Sequence, residues 1–222
     1  MKISELKKQA KLSLRGKWGL AVLLTFIVFL SNTILPLIVE VIISGGFKQW
    51  FFQDETPLGA SIFSTLLYIV LLPLTIAVYW FYLTLVRKEN PDLYKVFSIY
   101  KDGKNTLKLI YASILQGIFL FLWTLLFIIP GIIKSMSYSQ MFFLLRDFPK
   151  LTVLEAISES KKRMKGLKWK YFLMNLSFIG WGILCLFSLG IGFLWLIPYI
   201  GTTMAIFYNE LIASQENSHE FN

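Results

Sequence analysis

The chain has 222 residues, 56% of them hydrophobic, with a mean hydropathy of +0.63 and a formal net charge of +9. Soluble domains hold about 45–50% apolar residues. The excess here, carried by 20 Phe and seven Trp, excludes an ordinary soluble core and points to a polytopic membrane protein. A lone Cys185 and a lone His219 exclude an intrachain disulfide and the usual Cys/His metal sites, so no metal is expected.

In chain order, Ser4 is placed to cap an amphipathic helix over residues 4–15. Ile3, Leu6, Ala10 and Leu14 face one way, while Lys7, Lys8, Lys11 and Arg15 face others. Gly16-Lys17-Trp18 then opens a first span over 18–43, which carries Asn32, Pro36 and Glu40. A basic segment before an apolar run has the outline of a signal peptide. This run is too long for that, and no small-x-small cleavage site follows it, so the span is read as retained. The loop over 44–58 holds Lys48 and the adjacent carboxylates Asp54 and Glu55, which the loop leaves solvated.

A second span covers 60–86, with Pro73 in its middle. Asn90-Pro91-Asp92 leads into a second amphipathic helix over 92–101, with Leu93, Val96, Phe97 and Tyr100 as its stripe. Gly103-Lys104 precedes a third span over 107–129, closed by Pro130-Gly131. The fourth apolar run, 132–145, has fourteen residues, against about 20 for a full crossing. It either crosses or is re-entrant.

"DFPKLTVLEAISESKKRMKG" follows, a stretch with the signature of a surface helix. Thr152 and Glu155 form a T-x-x-E capping box for a third amphipathic helix over 152–165. Glu159 and Arg163 are an i,i+4 pair, and Gly166 suits the helix end. Lys168-Trp169-Lys170 anchors a fifth span over 171–189. Gly190-Ile191-Gly192 turns the chain into a sixth over 193–212, with Pro198 near its start.

The expected fold is therefore all-α: one integral membrane domain over 1–222, with six transmembrane helices in three hairpins and amphipathic cytoplasmic helices. Gly16, Gly103 and Gly166 each stand between an amphipathic helix and a span, and "FIIPGIIKSM" (127–136) aligns with "WLIPYIGTTM" (195–204). Both echoes fit an internal repeat, and both also fit any membrane protein of three hairpins.

Charge sets the expected orientation. Six Lys/Arg precede the first span, six lie from Arg87 to Lys108 and eight from Arg146 to Lys170, leaving Lys48 and Lys134 for the other side. That asymmetry puts both termini of a multi-pass cell-membrane protein in the cytoplasm. It accounts for the basicity without a nucleic-acid partner and favours anionic headgroups of the inner leaflet as partners. The candidate headgroup contacts are Arg15, Lys17 and Trp18 at the first span, and Lys161, Lys162, Arg163, Lys165, Lys168, Trp169 and Lys170 before the fifth.

No G-x-S-x-G, H-E-x-x-H or phosphate-loop pattern occurs, so neither an enzyme nor a cofactor is expected. Glu40, Glu210 and Lys134 lie near span ends, where long side chains reach the interface. Asn32, Gln116 and Asn175 read as hydrogen-bond links between helices. The most polar span content is Ser135, Ser137, Tyr138, Ser139 and Gln140 in the fourth, with Gly201, Thr202 and Thr203 in the sixth. These residues either pack helices closely or line a polar cavity between spans four and six.

The last third also carries a resemblance. Asp147-x-Pro149, Glu155-Ala156-Ile157, Met164-x-Gly166, Lys168-Trp169, Leu176 through Trp181, Gly190-Ile191-Gly192 and Pro198-Tyr199 resemble the bacterial integral-membrane family called domain of unknown function 975. The opening "LKKQAKLSLRGKWGLAVLL" is similar to that family's as well. The resemblance implies a six-span bacterial protein and names no activity. A more distant likeness is to the membrane-anchor domain of some glycerophosphodiester phosphodiesterases, which is not their catalytic part. Two expectations remain: a non-enzymatic protein acting on lipid or protein partners at the cytoplasmic face, or a transporter or channel for a small molecule or lipid.

Overall fold

A computed structural model describes residues 2–53 and 55–220, with side chains up to Ser214. Asp54 and the side chain of His219 lie outside the described residues. The described residues form helices and no strand. Five stretches are long and apolar enough to cross a membrane: Trp18–Ile43, Leu58–Val86, Gly103–Leu126, Ile128–Asp147 and Lys168–Phe187. The protein is thus an all-α membrane protein. The sixth expected span falls within α12 (Phe193–Glu220), which is not among those five. Its middle faces protein, not lipid: Thr202, Thr203, Ala205, Phe207, Tyr208 and Leu211 are fully buried.

The first span is α2 (Trp18–Phe29), a wide π-type turn over Leu30–Ile34, and α3 (Leu35–Ile43). Pro36 accounts for the wide turn, because proline offers no N–H and its ring pushes back the carbonyl four residues earlier. A short helix α4 (Phe47–Phe52) follows, and the Trp50 indole donates to Glu40 Oε1 at 3.1 Å. The second span is α5 (Leu58–Val86), followed by α6 (Leu93–Phe97) with a 3-10 turn over Ser98–Tyr100.

α7 (Gly103–Leu126) and α8 (Ile128–Tyr138) form the second hairpin. The expected turn at Pro130-Gly131 is not there. The chain turns at Phe127 alone, and Pro130 lies in the first turn of α8, where its missing N–H would have had no helical partner. Gly131 is required by close approach: an added Cβ would strike Thr124 across the hairpin. The fourth span therefore starts earlier than its sequence suggests. It runs as α8 and then α9 (Met141–Asp147), broken at Ser139-Gln140, and at 20 residues it is long enough to cross.

α10 (Val153–Arg163) leads to α11 (Lys168–Phe187). The α11–α12 turn suits a medium without water. Each backbone N–H from Ser188 to Leu194 is hydrogen-bonded within the turn, that of Gly192 to the Ser188 hydroxyl. Irregular backbone in hydrocarbon must satisfy itself in this way.

The amphipathic helices α1 (Ile3–Leu14) and α10 turn their apolar faces into the bundle. Leu6, Ala10 and Leu14 of α1 are fully buried, packed with Phe207 and Leu211 of α12 and with Leu83 and Leu85 of α5. Burying a leucine is worth about 1.5–3 kcal/mol, which ties α1 to the bundle and not to the lipid surface. Val153, Ala156, Ile157 and Ser160 of α10 are likewise buried, against α8 and α9. Ser4 does not cap α1; Lys2 holds the cap position with no side-chain bond. The capping box at Thr152 and Glu155 is formed as expected. Gly16 and Gly166 both take the left-handed conformation, at φ +76 and +82, whereas Gly103 does not. The first and third glycine hinges are therefore alike, and the middle one is different.

Candidate functional site

Two polar features stand out: the meeting of the ends of α5 and α9 with the middle of α12, and the break between α8 and α9. At the first, Arg87 grips Asp147 with two charge-assisted hydrogen bonds, at 2.7 and 2.6 Å, and donates through Nε to Asn209 Oδ1 at 3.1 Å. The Tyr208 hydroxyl donates to Asp147 Oδ2 at 2.8 Å. Arg146 donates to the Trp80 carbonyl at 2.6 Å, to Thr84 Oγ1 at 2.8 Å and to Glu89 at 3.0 Å. The hydrogen bonds it donates to Asp147 hold the Arg87 guanidinium above its already high pKa, so it stays charged. These contacts clamp three helices at one end of the bundle. Asp147, Arg87 and Tyr208 form a structural lock that the sequence reading did not assemble.

The same end carries the basic segments. The ion pairs among the described residues all use arginine: Arg87–Asp147, Arg146–Glu89 and Arg163–Glu159. No described lysine pairs with a carboxylate. The division of labour follows from chemistry, since a guanidinium fork binds carboxylates in fixed geometry and an ammonium on a flexible stem does not. Lys161, Lys162, Lys165 and Trp169 are exposed, as are Arg15 and Lys17; Trp18 and Lys168 are half-buried, and Lys170 is half-buried. Arg163 pairs with Glu159 at 2.7 Å and its guanidinium lies 5.8 Å from the Phe148 ring centroid.

At the second feature, a helix break exposes backbone groups, and Ser160 of α10 satisfies them. Its hydroxyl donates to the Ser137 carbonyl at 2.8 Å and accepts from the Gln140 N–H at 3.2 Å. Beside the break lies a cavity of about 300 Å³, lined by Gln116, Ser135, Ser139, Tyr171, Asn175 and Tyr79 among others. Of the candidate cavity residues, only Ser135 and Ser139 reach it. Ser137, Gln140, Thr202 and Thr203 are fully buried in packing and Tyr138 nearly so. The Ser137 and Thr203 hydroxyls bond carbonyls of their own helices, while Gln140 Oε1 and Thr202 Oγ1 have no partner.

Gln116 and Asn175, expected as links between helices, do not act so. Asn175 donates to the Tyr171 carbonyl of its own helix at 2.8 Å, and Gln116 Oε1 is buried without a partner. Asn32 also bonds its own helix, through the Val28 carbonyl. The signal for the cavity lay in polar residues spread over four different spans, which no single stretch of sequence displays. Among the described residues no group of three or more acidic, histidine or cysteine side chains could hold a metal.

No curated protein and no solved structure matches this chain. A family model does, over residues 1–137 and again over 125–215. The matches cover almost the whole chain, including the arginine lock, the broken fourth span and all the basic segments. The chain belongs to the family described as "Protein of unknown function (DUF975)".

Proposed function

We propose that this is a non-enzymatic bacterial cell-membrane protein whose basic end faces the cytoplasm and holds anionic partners, chiefly lipid headgroups of the inner leaflet. The observation that carries the reading is the absence of any lysine–carboxylate pair among the described residues. Arg87 and Arg146 hold helices together. The lysines keep an outward positive field, and each one near an anionic surface contributes about 1 kcal/mol. The buried apolar faces of α1 and α10 support docking by charge in place of insertion.

The test is lipid enrichment around the full chain in nanodiscs of mixed phosphatidylcholine and phosphatidylglycerol. Phosphatidylglycerol should be enriched at low salt and depleted by high salt or by Gln at Lys161, Lys162 and Lys165 together. Equal enrichment of both lipids in every case would refute the reading.

A second reading has its own support. The discontinuous fourth span beside a 300 Å³ polar cavity is the kind of arrangement that transport proteins use near the membrane middle. On that reading Ser135, Ser139, Gln116 and Asn175 would contact a small polar solute. Cysteine at Ser139, with Cys185 changed to Ala, should then react with a water-soluble thiol reagent faster than cysteine at the lipid-facing Leu125. Equal rates would remove this reading.

A further inference from the structure

The lysines of α1 do not all point into water. Lys7 Nζ donates to the Ser177 carbonyl of α11 at 3.1 Å and sits 4.0 Å from the Phe178 ring centroid. Lys11 Nζ lies 5.6 Å from the Tyr199 ring centroid on α12. Phe178 and Tyr199 meet edge to face at 5.2 Å, so the two ammonium groups stand over neighbouring rings, near enough for each to feel the other's charge. Ser177 is the tenth residue of α11. At 1.5 Å per residue it lies about 13 Å along the helix from the basic end.

A half-buried Lys7 at that depth, with the exposed Lys11 over the neighbouring ring, is costly unless an anion joins the two cations. Among the described residues neither lysine has a carboxylate partner, and Glu210 accepts instead from Gln9 at 3.3 Å. Burial, and next the charge of Lys11, already push the Lys7 amine below the usual lysine range.

From Lys11 an open groove of about 450 Å³ runs between α11 and α12, walled by Trp181, Leu184, Trp195, Leu196 and Tyr199. That volume falls within the about 300–1,000 Å³ of small-ligand pockets. The groove is apolar along its length and cationic at one end, the reverse image of an anionic lipid. A bare lipid-facing surface would need no such charge.

We propose that Lys7, Lys11 and the α11–α12 groove bind one anionic phospholipid, its phosphate between the two ammonium groups and one acyl chain laid along Trp181 and Trp195. The site rests on the reading that anionic lipid is a partner, but it uses different lysines from the α10 collar. Gly192 shapes its floor: a Cβ there would meet the Cys185 sulfur at 2.7 Å, so the helices close tightly beneath the chain.

The test uses the full chain in nanodiscs with phosphatidylglycerol or phosphatidylcholine carrying a photoactivatable diazirine in one acyl chain, followed by mapping of the labelled peptides. Phosphatidylglycerol should label the 181–195 segment on the order of tenfold more than phosphatidylcholine. K7A/K11A should bring the two lipids level, and K7R/K11R should keep the preference, which guards against misfolding. Gln at the exposed Lys48, which belongs to neither set of lysines, should leave it unchanged. Equal labelling by both lipids in the wild type, or a preference untouched by K7A/K11A, would overturn the site. So would displacement by excess inorganic phosphate, which would make the ligand a free anion. A preference kept in K7A/K11A and lost only with Gln at Lys161, Lys162 and Lys165 would overturn the groove while keeping the collar reading.

Discussion

The Ser160 hydroxyl completes a helix it does not belong to: it donates to the Ser137 carbonyl at 2.8 Å and accepts from the Gln140 N–H at 3.2 Å, on either side of the break in the fourth span. Both helical groups are buried, and water is not at hand to replace a lost partner. Ser160→Ala should therefore cost about 1–3 kcal/mol, the penalty for orphaned buried polar groups. Thermal unfolding in detergent should register the loss, and Ser158→Ala, on the exposed side of α10, should not. Equal stability of the two variants would mean that the break satisfies itself in another way.

The Arg87–Asp147 pair is part-buried, at 27% and 16% side-chain exposure. A fully buried pair broken on one side costs about 3–5 kcal/mol. Here the expected coupling is smaller, about 1.5–3 kcal/mol, as for hydrogen bonds to charged groups. A double-mutant cycle with Arg87→Gln and Asp147→Asn measures it by thermal unfolding. A coupling near zero would reduce the lock to a solvated surface contact.

Gly201 touches the Tyr82 ring, and an added Cβ would overlap it. Tyr82 is itself buried at the centre of the bundle, so it has no room to withdraw. Gly201→Ala should destabilise by about 1–3 kcal/mol through overpacking. Gly19→Ala meets nothing within 4 Å and keeps helical backbone, so it should be neutral or mildly stabilising. The comparison separates close packing from a general glycine effect. If both variants behave alike, the contact is not what holds α5 against α12.

The sequence reveals those features that depend on neighbours in the chain. The capping box at Thr152, the Glu159–Arg163 pair and the hinge at Gly166 all obey spacings of three to seven residues, and all are formed. The apolar runs likewise mark the spans, because hydrocarbon exposure acts on every residue of a run. Pro130-Gly131 misled as a turn because proline is at home both in turns and in the first turn of a helix, and the close approach of Thr124 that requires Gly131 is a tertiary fact. The arginine lock joins residues 60 or more apart in sequence, and the polar cavity draws on six helices. α12, expected as the sixth span, has its small and hydroxyl residues Thr202, Thr203 and Ala205 facing protein. Its lower apolarity, visible in Gly201-Thr202-Thr203, was the one hint.

Acid should loosen the first turn of α10. The Thr152 N–H, and next its hydroxyl, hold the Glu155 carboxyl below the usual glutamate range. A carboxylate with a depressed folded pKa contributes fully above the unfolded value of about 4.3, and its contribution fades as pH falls through the folded value. Backbone NMR shifts of residues 153–156 should hold steady through neutral pH and move only below about pH 4. Glu155→Gln, which cannot titrate, should show no such movement. A midpoint at the ordinary glutamate value would mean that the box is open in solution.

The most direct measurement is the side of the membrane on which the basic end lies. Reporter fusions after Lys48, Lys101, Lys150 and Asn222 should read outside, inside, inside and inside. That pattern follows from the twenty Lys/Arg of the basic segments against Lys48 and Lys134. It brings the unpaired lysines against the anionic leaflet. An outside reading at Lys150 would remove the fourth crossing and carry α10 with its lysines to the far side. The anionic-partner account would then be contradicted at its foundation.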